Sequence, residues 1–154
     1  MNERIERILN ACSAARISGY IIDPRIYGVI IDYHKMEWVP TGDKMCPMGA
    51  VVFGAHVKYK NQDPVAMLHT LTEAIIGAPK GYSEAFVCAI IDRYYKPVGE
   101  PVNFEFEEDP VRNMARIDAF AVYAHLEMAG MLQSKLNLSE KVPEIPLTLI
   151  NNVG

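Results

Sequence analysis

The chain has 154 residues, half of them hydrophobic and 22% charged, which suits one compact domain and is too short for two comfortable ones. That apolar fraction excludes intrinsic disorder. Fifteen Lys and Arg against nineteen Asp and Glu leave a net charge of −4, so no bulk field draws the protein to nucleic acid or acidic lipid.

Asn2 is suited to cap a first helix. Ile5, Ile8, Leu9, Cys12 and Ala15 then step at three and four, with Ile17 expected to extend the stripe and Glu3, Arg4, Glu6, Arg7 and Asn10 on the other side, until Ser18-Gly19 stops the pattern. Tyr20-Ile21-Ile22 reads as extended, and Asp23-Pro24 as a turn. Tyr27 through Tyr33 is rich in β-branched and aromatic residues and predicts a strand, with Met36 through Val39 returning antiparallel.

In Cys46-Pro47-Met48-Gly49-Ala50 a proline precedes an apolar run, which predicts a short helix from Pro47 to about His56. Asp63-Pro64 and Asp109-Pro110 each set a capping carboxylate before a first-turn proline. Val65, Leu68, Leu71 and Ile75 form one stripe that stops at Gly77-Ala78-Pro79. Ser83 is expected to cap the next helix, whose unbroken apolar run from Ala85 to Ile91 predicts a central position with no wet face. Val102, Phe104 and Phe106 alternate with Asn103, Glu105 and Glu107, as in a strand with one buried side.

The last helix is expected from Val111 to about Lys135 and carries two apolar stripes. One holds Val111, Met114, Ala121, Val122, Ala129 and Leu132; the other holds Ile117, Phe120, Ala124, Met128 and Met131. One stripe suffices for packing within a domain, so the second implies another covering surface. Beyond Asn137, Pro143 and Pro146 forbid a helix, and Val142, Ile145, Leu147, Leu149 and Ile150 predict an extended segment lying on its own domain or a neighbour.

The expected architecture is α+β: a mostly helical single domain over residues 1–136, with four main helices, a short one and a small antiparallel sheet from the 27–40 region with 102–106. An extended, proline-containing tail, 137–154, follows it. No stretch approaches the ~20 apolar residues of a membrane span.

Cys12, Cys46 and Cys88 are odd in number and far apart, without a C-x-x-C, which reads as reduced thiols in a cytoplasmic protein. Cys12 and Cys88 are expected as small buried hydrophobes. Cys46, at a helix N-terminus that favours a thiolate, is the candidate catalytic nucleophile, with His34 or His56 as its base. The histidines follow no metal-ligand spacing, so no metal or cofactor is expected. His69, four residues before Glu73, reads as half of a surface ion pair. The acids Glu100, Glu105, Glu107, Glu108 and Asp109 read as a solvated edge.

The leading functional expectation is a cytoplasmic, non-catalytic protein that forms a homo-oligomer, a dimer, or binds a protein partner. The interface residues would be Phe120, Met128, Met131, Leu147 and Leu149, with neither nucleic acid nor membrane involved. The alternative is a small enzyme or ligand-binding domain that uses Cys46 in a pocket.

Overall fold

In the computed structural model, the structure describes residues 2–25, 29–32, 37–40, 42–58, 63–95 and 108–132. Helix α1 (Glu3–Ile17) starts where the Asn2 side-chain oxygen accepts the Ile5 N–H at 2.9 Å. Its buried residues, Ile5, Ile8, Cys12 and Ala15, step at three, four and three, a single core-facing stripe. Gly19 ends the helix at φ 96°, a conformation that favours glycine.

Strand β1 (Ile21–Ile22) follows, then β2 (Val29–Asp32) and β3 (Glu37–Pro40), which pair antiparallel from Val29 opposite Pro40 to Asp32 opposite Glu37. The short β4 (Lys44–Met45) runs parallel to β1, Ile21 facing Lys44 and Ile22 facing Met45. The expected single antiparallel sheet is therefore corrected. The described strands form two separate two-stranded pairs, and the parallel one carries the fully buried Ile22 and Met45. The chain between β1 and β4 is long enough to return in the same direction, which a tight turn cannot do. Residues 102–106 lie outside the described residues.

Helix α2 (Pro47–Ala55) is buried continuously from Pro47 to Val52. It, rather than the helix holding Ala85–Ile91, lacks a wet face over its first turns. Helix α3 (Pro64–Ile76) is capped by Asp63, whose carboxylate accepts from the Val65 and Ala66 N–H groups, and it stops at Gly77 with φ 73°. Helix α4 (Tyr82–Tyr95) buries Tyr82, Ser83, Phe86, Val87, Ala89, Ile90 and Tyr94. Cys88 is exposed, which corrects its expected burial. The apolar run is continuous, but one residue in it still has to point outward.

Helix α5 (Pro110–Met128) is capped by Asp109, which accepts from Val111 N at 2.9 Å. It ends earlier than the expected Lys135. Gly130 N donates to Glu127 O and Met131 N to Leu126 O, closing the end with a paired reverse turn around a left-handed glycine.

The helices close a ring in chain order, each packed on the next, with α5 returning to α1. Helices α1 and α5 run side by side in the same direction: Arg4 reaches Asp118 and Arg16 reaches the Gly130 carbonyl, each pair 114 residues apart. Leu132 then bridges to Ile22 beside β1. Tyr82, Tyr123, Phe86, Ile8, Met45 and Met48 fill the centre. A smaller cluster of Trp38, Val52 and Leu68 joins β3 to α2 and α3. No helix among the described residues is long and apolar enough to cross a membrane.

Candidate functional site

Cys46 sits at the start of α2, where the sequence places it, with its Sγ accepting the Gly49 N–H at 3.3 Å. The residue is 2% exposed and belongs to the main core. Burial, with Cys46 close by, pushes the thiol of Cys12 far above its ordinary value. His56 stands at the other end of α2, exposed and left-handed at φ 54°. Ten residues of helical rise put the two about 15 Å apart. The structure does not bring Cys46 and His56 together, and His34 lies outside the described residues.

The densest polar constellation surrounds Asp118, which is 1% exposed. Its carboxylate accepts from the Tyr82 hydroxyl at 2.6 Å, from Arg4 Nε at 2.8 Å and from Asn2 Nδ2 at 2.9 Å. Burial and the hydrogen bond to Asp118 push the Tyr82 phenol far up, while the bond to Asp118 raises Arg4. Three donors replace the water that a buried carboxylate loses, and they tie α1, α4 and α5 together. Asp118 falls among Ala115, Ala119 and Val122 on the inner face of α5. A carboxylate in that apolar register is the signal the sequence carries for it; its seven-residue spacing from His125 suggested a shared surface instead, but Asp118 is buried and His125 exposed.

Above this network, a depression of about 380 Å³ opens between the first turns of α1 and α5, lined by Asn2, Arg4, Glu108, Asn113, Met114 and Ile117, among others. The Asn113 side-chain oxygen is buried and has no donor among the described residues.

Two further networks are internal braces. Asp23 and Arg25 form a two-pronged buried pair at 2.9 and 2.7 Å, with the guanidinium over the Tyr94 ring. His69 Nδ1 lies 2.8 Å from the Ser83 hydroxyl, and the Thr72 hydroxyl is 2.9 Å from the same oxygen. Glu73 does not pair with His69 as a surface couple. It accepts from Gly81 N and Ser83 N, capping α4 from α3. Ser83 is wholly buried, so its hydroxyl braces the helix pair and cannot meet a substrate. Among the described residues, no group of three His, Cys, Asp or Glu side chains could hold a metal ion.

The outer side of α5 differs from both. Ala115, Ala119, Val122, Tyr123 and Leu126 face the core, so only Val122 of the first expected stripe is central. Opposite them, Ile117, Ala121, Ala124 and Met128 recur at four, three and four. Ile117 is 46% and Met128 86% exposed. Phe120 and Met131 are half-buried against the core, and the Arg116 guanidinium lies over the Phe120 ring, so these two expected interface residues are partly spent inside. Leu147 and Leu149 lie outside the described residues. Exposed Ile17 stands at the same end as Met128, where Arg16 meets Gly130.

No family model matches this chain, and no curated protein or solved structure matches it either.

Proposed function

We propose that this protein is a cytoplasmic, non-catalytic homodimer whose copies meet along the outward face of α5, with segment 137–154 completing the contact. The single observation supporting this reading is the row of Ile117, Ala124 and Met128, apolar and exposed on a helix whose other face already fills the core. Met128 at 86% exposure is an expensive residue to leave in water.

The magnitudes explain why the tail is included. Fully burying Met128 is worth about 1.5–3 kcal/mol, and half-exposed Ile117 roughly half as much. A two-fold contact counts each twice, giving about 4.5–9 kcal/mol. Association itself costs roughly 4–15 kcal/mol, so the row alone would make a weak dimer. Leu147 and Leu149 supply the additional apolar area. A different protein using the same row is the competing partner.

Light scattering on a dilution series tests this. The expected result is a two-chain mass at tens of micromolar, falling to one chain with Met128→Lys, an exposed substitution that leaves the core untouched. A one-chain mass at every concentration would sink the homodimer. Catalysis by Cys46 draws no support from the geometry, with the thiol covered and His56 at the far end of its helix.

A further inference from the structure

The depression between the first turns of α1 and α5 has polar walls that the dimer reading does not use. Its floor is rigid, because Asp118 is held by Asn2, Arg4 and Tyr82. Arg4 commits its Nε to Asp118, and a guanidinium has five N–H donors, so donors remain for an acceptor in the cavity. Its side chain is 25% exposed. On the same wall, Glu108 is an exposed carboxylate, and Asn113 has a side-chain oxygen removed from water without a donor. An orphaned buried carbonyl costs free energy that an N–H from an occupant would recover once the partly exposed Asn113 amide turns its oxygen toward the depression. Met114 and Ile117 supply an apolar side.

These groups ask for opposite things at separate points: an acceptor at Arg4, a donor at Glu108 and Asn113, and hydrocarbon between them. A simple carboxylate would meet Glu108 as a like charge. A simple amine would leave the Arg4 donors unmatched. The volume of about 380 Å³ falls at the small end of ordinary ligand sites.

We propose that this depression binds a small aliphatic zwitterion of the amino-acid type, its carboxylate on Arg4, its ammonium toward Glu108 and the Asn113 oxygen, and its side chain on Met114 and Ile117. Asp118 lines the floor of the depression and fixes the guanidinium from below, so Arg4 stands between it and the ligand carboxylate; Tyr82 is a positioning residue, since it holds Asp118. Ile117 is shared with the outward row of α5, so it is left unchanged in the test.

Isothermal titration of the 154-residue chain with leucine is the experiment, run beside an alkylamine and an alkyl carboxylate of the same branched skeleton. Leucine is expected to bind at millimolar concentration or below, with each fragment at least about tenfold weaker, since each forfeits one charged contact. Asn113→Leu is expected to weaken leucine about tenfold while circular dichroism stays unchanged. Glu108→Gln, exposed and outside the core, should weaken leucine and relieve the penalty on the carboxylate fragment. Absence of leucine binding overturns the proposal. So does a fragment that binds as well as leucine, or a leucine affinity indifferent to both substitutions.

Discussion

Tyr82 donates its phenolic hydrogen to Asp118 at 2.6 Å across 36 residues of sequence, joining the first turn of α4 to the middle of α5. Both residues are essentially sealed, at 0% and 1% exposure. Tyr82→Phe removes one donor from a carboxylate that keeps Arg4 and Asn2, and should cost about 1.5–3 kcal/mol, as for a hydrogen bond to a charged group. Asp118→Ala strands the Tyr82 hydroxyl as well as Arg4 and should cost more, about 3 kcal/mol, discounted because Arg4 is partly wet. Urea unfolding midpoints of the two variants measure both. Equal, negligible losses would mean that this network does not hold the three helices.

The same burial governs behaviour in alkali. Burial and the bond to Asp118 push the Tyr82 phenol far up, and burial, with Glu127 adding to it, pushes Tyr123 up to about 12. An acid whose folded pKa is raised keeps its proton where the unfolded chain has lost it. This stability is fully present below about pH 10 and is lost as pH rises from there through the folded value. Tyrosinate absorbance at 295 nm should show fewer ionised phenols at pH 11 in the folded protein than in urea. If all eight tyrosines ionise together near pH 10 with the circular dichroism intact, the buried pair is not buried in solution.

Thiol exposure gives an independent check on the core. Cys88 is exposed, whereas Cys12 and Cys46 are 0% and 2% exposed. Iodoacetamide at neutral pH should label Cys88 first, and the other two only at the rate at which the protein opens. Rapid labelling of Cys46 ahead of Cys88 would reverse this order and revive the nucleophile reading.

What could be read from the sequence was local chemistry. Asn2, Asp63 and Asp109 cap their helices because a short polar side chain bonds an N–H two or three residues ahead, and such contacts need no tertiary partner. Cys46 before Pro47 worked in the same way. The cap of α4 could not be read, since Glu73 supplies it from the preceding helix across the turn. Periodicity along α5 offered two apolar stripes, and only the packing of α1 and α4 decides that Ala115, Ala119 and Val122 turn inward and bring Asp118 with them. Gly130 was visible in the text, but its left-handed conformation depends on the turn back toward Ile22.

His69 provides the acid counterpart. Burial lowers its pKa below 6.5, against the opposing pull of Glu84 and Glu73, while its Nδ1 faces the Ser83 hydroxyl at 2.8 Å. A base with a lowered folded pKa stays neutral where the unfolded chain has already taken up a proton. The contribution is therefore complete above about pH 6.5 and is lost as pH falls from there through the folded pKa. An NMR titration of the histidine Cε1–H signals should place the His69 midpoint below 6.5, and His69→Gln should flatten the decline of urea stability between pH 7 and 5. A midpoint at or above 6.5 would mean that the α3–α4 junction is open to water and that the brace through Ser83 and Thr72 is not formed.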